Sequence, residues 1–249
     1  MRAKAIPCLS FSTMSTAISV IRRRWSAPSV GKRVDFIGAH LKSKFAGDDF
    51  ADVGKLNQRP HDQLSASDIK RILKAEQRAV EARIKLTTEC INIRYYIENR
   101  FRNEPYPAIF LLGDMNYGVG REYFERKALF HDLISNLQGD VFFARRFLNH
   151  ALFDYKIDAD ADANYRWSIY FEDAWDPGRD PRILIDHILF AQSVVGDEAL
   201  ERSGLRVRSG AGLVEHTAHV AANTDLEGFG STSDHRSVSV TFDVADPVY

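Results

Sequence analysis

The sequence predicts an α+β fold. Three observations carry that prediction. A long amphipathic pattern opens at Ser65 and runs to about residue 100. Directly after it, residues 108–112 (Ala-Ile-Phe-Leu-Leu) form a continuous apolar run, as in a strand buried on both faces. Beyond residue 165, short segments alternate apolar and polar residues in the manner of half-exposed strands.

Each element follows from local signals. Residues 32–39 read as a strand ending at His40, because Val34, Phe36 and Ile37 are β-formers bounded by Gly31 and Gly38. Residues 44–64 carry Gly47, Asp48, Asp49, Gly54, Asn57 and Pro60 and read as a loop. Ser65 and Asp68 have capping-box spacing and start the long helix. Ile69, Leu73, Val80, Ile84, Thr87, Ile91 and Tyr95 recur at helical steps and nominate an apolar stripe. Glu76, Glu81, Glu89 and Glu98 are interleaved with the basic residues, which suggests a solvated outer face with no nucleic-acid role. Pro105 and Pro107 end the helix. Residues 123–136 look helical and residues 154–163 are acidic and irregular. Residues 165–171, 183–190, 205–208, 215–221 and 237–244 read as strands.

The 249 residues divide into 45% apolar and 27% charged, enough for one domain with a sizeable core. Lys and Arg number 33 and Asp and Glu 34, a net charge of −1. That excludes nucleic-acid binding driven by a large global positive charge, though not a local basic groove, for which Arg121, Arg145 and Arg146 are candidates. No apolar run approaches the length of a membrane span. Cys8 and Cys90 alone cannot build a disulfide framework or a cysteine zinc site. Residues 1–34 hold seven basic residues and no acid, a composition that suits a transit peptide. The simpler expectation is a loosely ordered basic segment over residues 1–30, a domain over 31–249, and a cytoplasmic protein.

Polar residues of one kind cluster where the buried strands run out. The four ends are His40-Leu41-Lys42-Ser43, Gly113-Asp114-Met115-Asn116, Ile185-Asp186-His187-Ile188-Leu189 and Ser233-Asp234-His235. Singly, each suits a turn or a strand edge. Asp186 is the hardest to explain that way, because a carboxylate among Ile183, Leu184, Ile185, Ile188 and Leu189 needs a partner, and His235 is a candidate. His187, one place on, points to the other side of a strand.

In this order the four motifs resemble the endonuclease/exonuclease/phosphatase superfamily, over roughly residues 24–244. The resemblance implies a DNase I-like α/β/β/α sandwich of two packed, mostly antiparallel sheets. It implies metal-dependent hydrolysis of phosphoester bonds, with a nuclease or phosphodiesterase as the leading reading and Mg²⁺, or Mn²⁺ in its place, as cofactor. His235 would be the general base and Asp186 would orient it. Asp114 would orient or activate the water, Asn116 would hold a phosphate oxygen, and His40 would donate to the phosphate or leaving oxygen. Asp234 would be a metal ligand. The substrate would be a phosphoester, nucleic acid among the options. The family also carries an Asn and a metal-binding Glu upstream of its His motif. Here the first Asn is Asn57 and the first Glu is Glu76. The expectation is therefore that the N-terminal half of the sandwich is absent. Either the chain is the C-terminal part of a complete enzyme, which is favoured, or it is a short product that is impaired or binds phosphate without turnover.

Overall fold

The protein is described by a computed structural model over residues 23–26, 33–118, 122–154, 166–224 and 232–245. The elements run β1 (Arg23–Ser26), β2 (Arg33–His40), α1 (Phe50–Asn57), α2 (Ala66–Asn103) and β3 (Ala108–Asp114). Next come α3 (Tyr123–Ala128), α4 (Leu133–Gln138), β4 (Leu148–His150), β5 (Ile169–Tyr170), β6 (Arg182–Ile183) and β7 (Asp186–Ala191). The last are α5 (Ala199–Ser203), β8 (Leu205–Val207), β9 (Leu213–Val214), α6 (His216–Thr224), β10 (Val238–Ser239) and β11 (Phe242–Val244). Within the segment expected to be loosely ordered, Arg23–Ser26 pairs antiparallel with β2. The acidic stretch 155–163 lies outside the described residues.

The fold is α+β. One five-stranded sheet has the order β1-β2-β3-β7-β4, and three two-stranded ribbons accompany it, β5-β6, β8-β11 and β9-β10. Strands β2 and β3 are parallel, so the chain must cross over between them, and α1 and α2 make that crossing. The remaining pairs are antiparallel.

The two faces of the sheet are covered differently. Ile37, Ala39, Ile109, Leu111 and Leu189 pack on α2 and α4 through Leu86, Ile93, Ile97 and Leu137. Val34, Phe110, Ile188 and Phe190 face the ribbons, where Leu205, Val207, Val240 and Phe242 meet them. Alternation along each strand produces this division, so residues one place apart report to different layers.

Helix α2 begins as its sequence predicts. Ser65 is the N-cap, its hydroxyl accepting from the Asp68 amide, and Asp68 returns the bond to the Ser65 amide. Its buried face is not the predicted stripe. Ile72, Ala75, Ala79, Ala82, Leu86, Cys90, Ile93 and Ile97 are buried, whereas Leu73, Ile84, Ile91 and Tyr95 are exposed. Both faces are apolar enough to compete. The alanines decide the outcome by letting α2 lie close to its neighbours.

Four further expectations are corrected. Residues 44–64 contain α1, whose Val53 and Leu56 are buried beside Trp175. Gly54 marks a close approach there rather than a loop, since a Cβ on it would stand 2.8 Å from Trp175 Cδ1. Residues 123–136 hold two helices, because Leu129 at φ +54° ends α3 in a left-handed turn. Residues 215–221 belong largely to α6. Ribbon pairing ends where the Glu215 amide bonds to Ser237, and the His219 amide then bonds back to Glu215. Residues 183–190 are broken at Leu184–Ile185, where Ser168 inserts its hydroxyl.

Candidate active site

Strand register builds the site. His40 pairs with Asp114 across β2 and β3, and Asp114 pairs with Asp186 across β3 and β7. The three form one cross-strand row at the end of the sheet, on the ribbon side. Gly113 sets the spacing. It adopts φ +130°, and a Cβ there would lie 2.0 Å from the Ala39 carbonyl oxygen, so only glycine lets β3 meet β2 at this point.

Beyond the row the chain turns at Asn116, in left-handed conformation with φ +49°. Its amide nitrogen reaches the Leu41 carbonyl at 2.8 Å and the Asp114 Oδ2 at 3.2 Å, and its backbone N–H donates to Asp114 Oδ1 at 2.7 Å. Both side-chain protons are thereby engaged in holding Asp114 and the end of β2. His40 Nε2 stands 3.5 Å from Asp114 Oδ2 with its side chain about one-third exposed.

His235 arrives from the loop before β10. Its Nδ1 donates to Asp186 Oδ2 at 2.9 Å, which leaves Nε2 for a reacting group. Asp186 is held by Ser168, whose buried hydroxyl accepts from the Ile185 and Asp186 amides at 3.1 and 3.2 Å. The hydrogen bond to Asp186 raises His235 to about 9 against the opposing effect of burial. Burial, followed by the charge of Asp186, raises the Asp114 carboxyl.

Asp234 stands apart. Its side chain is 77% exposed, and its nearest contact in the site is His235 Nε2 at 3.9 Å. Among the described residues, no group of three or more His, Cys, Asp or Glu side chains is arranged to hold a metal ion. Asp114 accepts one hydrogen bond from Asn116 on each oxygen. These donors do not form a cage for Mg²⁺ by themselves.

The structure brings together His40, Asp114, Asn116, Asp186 and His235 and leaves Asp234 at the rim. His187 faces the helix side and is fully buried. Its Nε2 donates to the Tyr117 carbonyl at 2.8 Å, so its Nδ1 must accept from His150 Nε2 at 2.9 Å. His150 Nδ1 in turn accepts the Leu152 amide at 3.0 Å. The two rings are a satisfied neutral chain supporting the Tyr117 turn. Burial pushes His150 down to about 3, and burial also lowers His187.

Sequence reasoning missed Ser168 and the His150–His187 chain, because the partners of each are distant in the sequence and no local signal marks them. Of the basic-groove candidates, Arg145 and Arg146 do not meet the site. Arg145 and Arg146 precede β4, whose Leu148 pairs with Ala191 at the end of β7 remote from Asp186. Arg121 lies outside the described residues.

No family model matches this chain, and no curated protein matches it.

Proposed function

We propose that this site hydrolyses phosphoester bonds, with phosphodiesters, nucleic acid included, as its substrate class. The observation that carries the proposal is the convergence of the four motifs at one end of the sheet, three on one cross-strand row and the fourth bringing His235 into a hydrogen bond with Asp186. The ordered motifs support a DNase I-like sandwich, and the packing of one sheet between helices and β-ribbons is compatible with it.

In the proposed reaction water attacks phosphorus in line and the ester oxygen leaves. Neutral His235 takes the water proton on Nε2 while Asp186 holds the Nδ1 proton and stabilises the imidazolium. His40 donates to the phosphoryl or leaving oxygen. Asp114, fixed by Asn116, orients the water. Asn116 contacts a phosphate oxygen only by giving up one of its two amide bonds. No step is assigned to a metal. Dependence on Mg²⁺ or Mn²⁺ remains part of the proposal, with Asp234 as the protein ligand. Mg²⁺ commonly keeps several waters and uses few carboxylates together with substrate phosphate.

The test is hydrolysis of bis(p-nitrophenyl) phosphate and of plasmid DNA, with Mg²⁺ or with a chelator. Metal-dependent turnover that falls with His235→Ala supports the reading. A second reading, a phosphate-binding module without turnover, is favoured by Asp114, both of whose oxygens accept from Asn116, and by the position of Asp234 at the exposed rim. Phosphate binding by calorimetry with no hydrolysis of either substrate would select it.

A further inference from the structure

Helix α2 carries a feature that the site does not use. Leu73, Ile84, Ile91 and Tyr95 are 59%, 53%, 46% and 67% exposed. They lie within about 40° of one another around the helix, at 100° per residue, and span about 33 Å along it. They are the predicted stripe, facing outward instead of inward.

The charges around this stripe are not neutral, despite the interleaved sequence. Glu76 pairs with Lys127, Glu89 accepts the Lys42 amide, and Glu98 pairs with Arg94. Glu81 is the one exposed acid of α2, against five exposed bases: Lys70, Arg71, Lys74, Lys85 and Arg102. Of these, only Arg102 has an ion-pair partner among the described residues, Glu98 at 3.7 Å.

We propose that the outward face of α2 docks on an anionic lipid bilayer. An apolar stripe flanked by Lys70, Arg71, Lys74 and Lys85, which have no ion-pair partner among the described residues, has the chemistry of an interfacial helix, with the apolar side chains entering the acyl boundary and the bases meeting lipid phosphates. A second copy of the chain is the poorer occupant, because two such faces would oppose like charges. A nucleic acid would use the bases but not the leucine and isoleucines. The helix covers the sheet face opposite the row of His40, Asp114 and Asp186, so docking leaves the site open.

The experiment is flotation of the full chain with vesicles of phosphatidylcholine alone or of phosphatidylcholine with phosphatidylserine, an anionic lipid. The expected result is binding to the anionic vesicles only, released by high salt. Lys70→Ala, Lys74→Ala and Lys85→Ala together should weaken it on the order of a hundredfold. Ile84→Asp with Ile91→Asp should abolish it while leaving the melting temperature near wild type, since both side chains are solvent-facing. Three results would overturn the proposal: no binding to anionic vesicles, equal binding to neutral ones, or a dimer in solution that Ile84→Asp with Ile91→Asp converts to monomer.

Discussion

His235 Nδ1 lies 2.9 Å from Asp186 Oδ2, across a separation of 49 residues in the chain. The contact depends on two unrelated pieces of construction. Ser168 holds the break between β6 and β7, and the Asn116 turn fixes Asp114 beside Asp186. If the pair orients a base, Asp186→Asn should lower kcat by about 10²–10⁴-fold with a smaller effect on KM. Steady-state kinetics on bis(p-nitrophenyl) phosphate would measure this. Equal losses in Asp186→Asn and the double variant with His235→Ala would show that the two act as one unit.

Gly113, directly before Asp114 of the row, has no room for a side chain. Gly113→Ala should cost about 3 kcal/mol or more, because the new methyl meets a backbone carbonyl and φ is in the glycine region. Urea unfolding would register this as a lower midpoint or as failure to fold. A near-neutral effect would mean β2 and β3 do not approach as described.

Gly54→Ala should be milder, at about 1–3 kcal/mol, because its clash is with the Trp175 side chain and the Ala174 backbone while its own φ is ordinary. Loss of the buried Trp175 fluorescence should accompany unfolding at the same midpoint.

Acid should destabilise the protein in two stages. The folded-state value of His150 is depressed to about 3 by burial, so the unfolded chain binds its proton first. Stability is then lost as pH falls from about 6.5 toward 3. Burial alone would raise Glu122, but Lys44, Arg179 and Arg83 outweigh it and hold the carboxyl at about 2. Its contribution is present above about 4.5 and is lost as pH falls toward 2. Urea midpoints measured against pH should show both declines, and Glu122→Gln should flatten the lower one.

Cys90 is 4% exposed, and burial pushes its thiol up to about 12. Its reaction with a thiol reagent at pH 8 should therefore follow unfolding. Immediate labelling of the native chain at Cys90, distinguished from Cys8 by peptide mapping, would contradict the packing of α2 on the sheet.

The extent of legible sequence differs by mechanism. Strand β3 and the start of α2 were readable because a buried strand and a capping box are local signals. The row of His40, Asp114 and Asp186 was readable as motifs at strand ends, though its register depends on pairings across the sheet. The facing of α2 was not readable: Leu73 and Ile84 look as apolar as Ile72 and Leu86, and only the close approach that Ala75, Ala79 and Ala82 permit separates them. Helix α1 was hidden by Gly54, whose purpose appears only with Trp175 in place. Ser168 carried no signal of its own, because its partners are backbone amides of a segment 17 and 18 residues further on.

The most direct test of the central claim is turnover of bis(p-nitrophenyl) phosphate by the wild-type chain and by His235→Ala, each with Mg²⁺ and with chelator. The proposed chemistry predicts metal-dependent release of p-nitrophenol by the wild type and a loss of about 10²-fold or more in the variant. Equal rates in the two proteins, or no turnover by a chain that folds and binds phosphate, would contradict it.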